Sequence, residues 1–454
     1  MPGTPVAPQT GPGTELIEEE MTPTAQHDAT AGDAGQGLPV CKVALVGFGT
    51  VGSSVARILV ERPHTRLRLT HVYNRNVARK KVDWLPPEVV WTENINDVLS
   101  SDIDIFVEVM GGLQPTEDWV RRALASGKSV VTANKQLIAL CGPELIALAR
   151  QRHQQIEFGA SVAGGVPVIS GLHEGLAGDE LFRICGILNG TCNYILSQIE
   201  TNGVPFATAL REAQKLGFAE ADPTEDIDGY DARAKLAILA RIGLHCNVAA
   251  DSILACSISP IDAVDFEYAN QLGCTIRQIS EAELKDNQLY AAVQPALVQL
   301  ASPLARVQGS QNLVMATGVY GGETVFGGHG AGGHPTAVAV VSDILAIARG
   351  KQAADSHAGR PAEKSPTVTA DFTTKHYLRF LVRDRPGIIA SLATILDKHG
   401  INIDSVLQKT GHPKSHLPFL ITLEECKASL VDQALQQINA LDFLVQPCLH
   451  LPII

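Results

Sequence analysis

No apolar run in this 454-residue chain reaches the ~18–20 residues of a membrane-spanning helix. None of its nine cysteines forms a C-x-x-C pair, and the count is odd. That excludes a disulfide framework and a zinc ribbon, and it reads as a reduced set of small core residues in a cytoplasmic protein. Basic tracts are lacking too, and the net charge is −12. A nucleic-acid or anionic-membrane partner is thereby excluded in favour of a small ligand. Residues 1–40 contain no Lys or Arg, so neither a secretory nor an Arg-rich transit peptide fits. The stretch is rich in Pro, Gly, Thr and acid, and 1–39 is expected to be a disordered tail.

What is present is ample core material. Hydrophobic residues make up 45% and charged residues 19%, and the length predicts two to four domains. From Val40, strands alternate with helical patterns, the signature of a parallel sheet covered on both faces. "CKVALVGFGTVGSSVARILVER" gives strand, glycine turn and helix; "RLRLTHVYNR", "DIDIFVEVMGG" and "KSVVTANK" supply further strands. "IEFGASVAGGVPVI" is a strand followed by a glycine loop. We assign 40–168 to a Rossmann-like nucleotide-binding domain, completed by 325–350, whose helix returns to it. Residues 169–324 form an α+β domain, and 351–372 a polar linker. The last unit, 373–454, reads β-α-β-β-α-β, a ferredoxin-like arrangement.

Gly47-x-Gly49-x-x-Gly52 lies between a strand and a helix, the context in which this motif binds dinucleotides. The first glycine allows the tight turn, the second admits the pyrophosphate, and the third lets helix and strand pack closely. The helix start offers amides to phosphate. Phe48, Thr50 and Val51 complete the turn. The acid expected at the end of the second strand is missing; the residues there are Asn74 and Arg75, with Arg79, Lys80 and Lys81 beyond. A 2′-phosphate suits this group, with Arg75 as its contact, so NADP is expected, NAD being tolerated. Loops 109–112 and 132–135 fall at the same carboxyl edge, and Lys135 lies beside the expected nicotinamide.

Residues 219–239, "AEADPTEDIDGYDARAKLAIL", place six carboxylates between Glu220 and Asp231 and a lysine, Lys235, just beyond. Pro223 and Gly229 make Glu220 to Asp228 loop-like. Asp228 can cap a helix beginning near Gly229. Asp231 and Lys235 then share a face at i, i+4, above an inner face of Ala232, Leu236, Leu239 and Ala240. A half-buried lysine loses charge by desolvation and regains it from a carboxylate one turn away. Such a pair suits proton transfer at an alcohol or aldehyde oxygen, and Glu220 could hold a substrate ammonium. A solvated helix start is the plain alternative.

Six stretches, in order, resemble homoserine dehydrogenase: "VALVGFGTVG", "TANK", "SVAGGVPVIS", "GILNGTCNYIL", "LGFAEADPTEDIDGYDARAKLAILA" and "GHGAGGHPTAVAVVSDI". The resemblance implies NAD(P)-dependent interconversion of L-homoserine and L-aspartate 4-semialdehyde, on the route to threonine, isoleucine and methionine, with 169–324 as the catalytic and dimerisation domain. It implies that Lys235 is the acid/base, that Asp231 orients it, and that Lys135 stands near nicotinamide and substrate oxygen. Glu220 and Asp226 become substrate-binding acids, and Asn189, Gly190 and Thr191 a loop lining the pocket. Gly330 belongs to a glycine loop that returns to the cofactor; His329 stands there where arginine is common. The family often binds a monovalent cation such as sodium through backbone carbonyls, here Val162, Gly164 and Val166, and a glutamate. Gly159 replaces that glutamate, which should weaken or abolish the site; Glu157, pointing the same way along a strand, is the nearest substitute. The C-terminal unit resembles an ACT domain through "VRDRPGIIASLATILDKHGINI". That implies an amino-acid effector, threonine, near Asp384, Gly387 and Asn402, and a homo-oligomer, dimer or tetramer. The short tail leaves no room for a fused kinase segment upstream. Two alternatives stand beside this reading: a catalytically inactive nucleotide-bound amino-acid sensor, and an oxidoreductase acting on another small amino acid.

Overall fold

Six parallel strands form the first sheet of the computed structural model, which describes residues 40–62, 66–350 and 364–454. They are β1 (Cys41–Val46), β2 (Leu67–Tyr73), β3 (Val90–Thr92), β4 (Ile105–Glu108), β5 (Ser129–Thr132) and β6 (Ile156–Glu157), in the order β3-β2-β1-β4-β5-β6. Val43 to Val46 are wholly buried, as a parallel strand covered on both faces requires. The strand order reverses between β1 and β4, which opens the ligand crevice at their carboxyl ends. The tail expected at 1–39 lies outside the described residues.

The second sheet belongs to the catalytic half. It contains β7 (Leu181–Ile187), β8 (Leu254–Ala255), β9 (Cys274–Lys285), β10 (Gln288–Gln299), β11 (Gln311–Gly318) and β12 (Gly322–His329). The return to the nucleotide domain is made by the helix Gly333–Ala348, whose Ala337, Val340, Val341 and Ile344 join the core of β1 and β2. Residues 325–329 do not return, because β12 is hydrogen-bonded along β11. The expected linker is also shorter than 351–372. Residues 351–363 lie outside the described residues, but β13 (Thr367–Thr369) pairs in parallel with β10.

The C-terminal unit has the expected βαββαβ order: β14 (Thr373–Val382), the helix Ile388–Lys398, β15 (Ile403–Gln408), β16 (Leu417–Lys427), the helix Ala428–Ile438 and β17 (Leu449–Ile453). Its strand order is β17-β14-β16-β15, and β17 meets β10, so one sheet runs through both units. Tyr377, Leu420, Leu449 and Leu451 share a core with Cys192, Ile195, Ile227 and Phe266 of the catalytic half. A buried ion pair pins this contact. Asp265, on the helix Ala263–Gln271, accepts from Arg379 Nε at 2.6 Å and from the Tyr377 hydroxyl at 2.7 Å. Its other oxygen closes its own helix's capping box on the Asp262 amide. The C-terminal unit therefore shares a sheet and an apolar core with the catalytic half rather than standing as a tethered module. No described helix is long and apolar enough to cross a membrane.

Arg379→Met strands a carboxylate that is 0% exposed. It should destabilise the protein by roughly 3–5 kcal/mol, measured by urea denaturation followed in both units. A loss below about 1 kcal/mol, the value of an exposed pair, would show that the contact is not essential.

Candidate active site

The glycine turn is shaped by close approach. Gly47 has φ 110°, and a Cβ there would lie 2.9 Å from Met110 Cγ and 3.0 Å from the Val109 carbonyl. A Cβ on Gly52 would lie 2.1 Å from the Gly47 carbonyl, whereas Gly49 faces open space. The first and third glycines are thus demanded by packing, and the second leaves room for a ligand. Gly49 caps the helix Thr50–Glu61 with no side-chain partner and no acid in its first turn. The leading amides, including those of Thr50 and Val51, are suited to a phosphate. Phe48 is buried against Trp84 and Trp91, so only its main chain faces the turn. Arg75 is exposed in the turn after β2, at the same edge.

Across the crevice, the helix Tyr230–Gly243 begins at Gly229, whose φ of 82° makes a left-handed N-cap. Asp228 does not cap it; it terminates a short helical turn, Thr224–Ile227, that replaces the expected loop. The turn spends the Asp228 amide on the Thr224 carbonyl and leaves the reversal to glycine. Ala232, Leu236, Leu239 and Ala240 are all 0% exposed and bury the inner face.

Asp231 is the hub. Its Oδ2 lies 2.7 Å from Lys235 Nζ, and its Oδ1 is paired with Lys135 Nζ, which comes from the nucleotide domain. Lys235 also donates to the Leu188 carbonyl at 2.8 Å. Asn189 uses its amide N–H groups on Asp226 (2.7 Å) and Asp231 (2.9 Å), while its oxygen caps the helix Gly190–Asn202 through the Cys192 amide (2.8 Å). Gly190 passes so close to Ser310 that a Cβ would lie 2.7 Å from its carbonyl, and Thr191 ties down the Phe218 carbonyl. Burial alone would raise the Asp231 carboxyl, but the two ammonium groups overcome it and hold it well below the usual range. Lys135 shows the converse: burial would lower it, and Asp231 more than restores it, pushing it up. Asp226 is raised, by burial and by the like charge of Asp231 against the Asn189 bond. Glu220 is exposed and lies outside this hydrogen-bonded cluster.

Glu108 went unnoticed in the sequence. Lys135 follows Asn134, the cap of the helix Lys135–Gln151, and the loop that sets both is bonded to the buried Glu108 carboxylate. The signal available was the single acid of the run "IFVEVM", otherwise wholly apolar.

The carbonyl loop shows a further departure. Val162, Gly164 and Val166 are buried, and the Val166 carbonyl already accepts from the Val168 amide at 2.8 Å. β6 ends at Glu157 and Gly159 opens a 3-10 turn, so the strand alternation expected to align Glu157 with Gly159 does not extend that far. The space of a side chain at Gly159 is filled from elsewhere: a Cβ would lie 2.8 Å from Asp343 Oδ1, and Asp343 Oδ2 accepts the Gly159 amide at 2.8 Å. Burial and then nearby Glu157 push the Asp343 carboxyl up to about 8. The two acids border a cavity of about 80 Å³. Gly330 packs on the same loop, with a Cβ position 1.8 Å from Asn312 Oδ1, and exposed His329 gives its carbonyl to the Gly165 amide. In the C-terminal unit, Asp384 and Gly387 (φ 93°) lead into the helix Ile388–Lys398, and Asn402 precedes β15 with its amide on Glu424.

A dinucleotide turn facing a lysine–carboxylate hub defines an oxidoreductase of the NAD(P)-binding class. Known proteins narrow it. Residues 167–345 match the family model of homoserine dehydrogenase, 47–159 its NAD-binding domain, and 376–443 the ACT domain. The chain is 36% identical to the homoserine dehydrogenase of Bacillus subtilis over 89% of this chain and 96% of that one. The crystal structure of a homoserine dehydrogenase from Thiobacillus denitrificans superposes with a TM-score of 0.83 at 34% identity, covering 91% of this chain and 98% of that one. A hyperthermophilic archaeal homoserine dehydrogenase in complex with NADPH has a TM-score of 0.58 at 27% identity, covering 67% and 97%. This chain belongs to the homoserine dehydrogenase family, oxidoreductases acting on a CH–OH group.

Asp231→Asn should cut turnover at least about 100-fold, since both lysines lose their counter-charge. Its stability should change with pH in a fixed direction. The charged Asp231 contributes fully above the ordinary carboxylate value of about 4 and loses its contribution as pH falls through its depressed value. The variant's acid unfolding curve should therefore be flatter than wild type; identical curves would contradict the hub.

Proposed function

We propose that the protein interconverts L-homoserine and L-aspartate 4-semialdehyde with NADP as the preferred cofactor and Lys235 as acid/base. One observation carries the reading: two of the three N–H bonds of Lys235 are committed, to Asp231 and the Leu188 carbonyl. The third is left for a substrate oxygen. Gly47, Gly49, Gly52 and the amides of the following helix hold the dinucleotide, with Arg75 toward a 2′-phosphate. When bound, the nicotinamide supplies or takes up the hydride.

Lys235 gives a proton to the aldehyde oxygen and recovers it from the alcohol in the reverse direction. Asp231 keeps the ammonium aimed and compensates its charge. Lys135 stabilises the same oxygen from the nucleotide side, and its bond to Asp231 draws the two domains together. Asp226 and Glu220 receive the substrate ammonium, and Asn189, Gly190 and Thr191 fix the wall between them. Gly330 and the Val162–Val166 loop support the cofactor side. Gly159 leaves those carbonyls without the family's carboxylate, so a sodium-like cation should bind there weakly or not at all.

The NADPH bound by the archaeal relative supports NADP here. The ACT unit supports control by an amino acid, with threonine as effector at Asp384, Gly387 and Asn402, in a homo-oligomer. Nine free thiols accord with a cytoplasmic setting and a role in threonine, methionine and isoleucine synthesis.

The test is the purified protein with homoserine and NADP or NAD, with and without threonine, reduced cofactor being followed optically. Turnover is expected; its absence rejects the reading. Lys235→Ala should lose about 100-fold or more in kcat while binding cofactor normally. Arg75→Ala should weaken NADP roughly tenfold, the worth of one charge-assisted bond, and NAD far less.

A further inference from the structure

One buried carboxylate takes no part in the proton transfer above. Glu108 ends β4 and is 1% exposed. Its Oε1 accepts the amides of Met110 (2.7 Å) and Gly111 (3.0 Å), and its Oε2 accepts the Thr132 hydroxyl at 2.6 Å. The Thr132 oxygen in turn accepts the Asn134 amide at 3.0 Å. Asn134 caps the helix Lys135–Gln151 through the Leu137 amide and donates to the Gly112 carbonyl at 2.6 Å. One carboxylate thus fastens the β4 loop to the β5 loop, and the next residue along is Lys135. The same β4 loop bears on the cofactor turn, since Met110 Cγ and the Val109 carbonyl fill the space beside Gly47.

A clasp of this kind does not need a charge. A glutamine could accept both amides with its oxygen and donate to the Thr132 oxygen with its nitrogen. Burying an ionised carboxylate is costly unless its donors compensate. Burial is the largest influence and pushes the group up, while Thr132, Met110, Gly111 and Asn134 all favour the charged form; both carboxylate oxygens face donors. The site also lies at the carboxyl edge beside the strand-order reversal, where a dinucleotide binds in such a sheet. An oxidised nicotinamide ring carries a positive charge that the reduced ring lacks.

We propose that Glu108 is a positioning residue for the reaction: its carboxylate sets the loops that place Lys135, and its charge favours the oxidised nicotinamide over the reduced one. This rests on the reading that a nicotinamide dinucleotide works at this edge. Glu108 acts through the loops and its field, not by contact with the reacting atoms.

The test compares Glu108→Gln and Glu108→Asp with wild type, measuring dissociation constants of NADP and NADPH by fluorescence and kcat separately. Glu108→Gln keeps the clasp and removes the charge. Its NADP-to-NADPH affinity ratio should fall about tenfold, a charge effect at an effective dielectric near 20, with the KM for homoserine unchanged. Glu108→Asp keeps the charge but falls short of the amides, so the ratio should hold while kcat falls about tenfold from the loosened Lys135. A merely structural residue would lower both cofactor affinities together; an unchanged ratio in Glu108→Gln overturns the proposal. If Glu108→Gln does not fold, Thr132→Val removes the hydroxyl that donates to Oε2 and favours the charged form, and the ratio should move in the same direction; an unmoved ratio there overturns it equally. Failure of the wild-type protein to turn over homoserine would reject the substrate reading, while the binding ratios still judge Glu108.

Discussion

The Asp231 carboxylate holds two lysines that come from two different domains, and the rest of the site depends on that arrangement. Lys235 rises from the same helix one turn away, and Lys135 crosses from the nucleotide domain. Two cations at one small centre repel each other, and the Asp231 carboxylate between them offsets that repulsion. Asp231 can do this only because Asn189 takes up part of its remaining hydrogen-bonding capacity and its helix is buried along the inner face.

Helix packing makes the hub geometrically possible. The Lys135 helix and the Asp231 helix meet where Arg241 donates to the Ile138 carbonyl at 3.1 Å. The contact lies further along both helices than the lysines, so it fixes the angle at which their first turns face each other. Residues from both domains, Ile138 and Phe158 with Leu236 and Leu239, share one core beneath this contact. The charge cluster is thus an edge feature on an apolar interface. That interface holds the geometry; the ion pairs direct it.

The ACT unit is joined to the catalytic half by the same kind of device. Arg379 and Tyr377 sit two apart on β14, hence on one face, and both reach Asp265. The core they close contains Ile227 and Cys192, neighbours of Asp226 and Asn189. Any displacement of β14 must therefore be accommodated by residues that neighbour the Asp231 cluster. Regulation would need two such arrangements with unequal effector affinity.

The strands, the glycine turn, the βαββαβ order, and the Asp231–Lys235 pair were legible in the sequence, because each follows from local spacing: period two, period 3.6, or a glycine forced by a turn. Asp228 was misread as a cap, since an acid before a helix looks the same whether it ends one turn or begins the next. The merging of the C-terminal sheet with β10, the ion pair of Asp265 with Arg379, and the replacement of a side chain at Gly159 by Asp343 left no local trace. Those partners lie more than a hundred residues apart, and sequence spacing carries no distance at that range. The chain by itself determined which chemical groups exist and which of them share a helix face or a turn. Only the tertiary structure decided that Lys135 shares the Asp231 carboxylate and that Glu108 stands behind it, because the meeting of separate elements is settled by the packing of their buried faces.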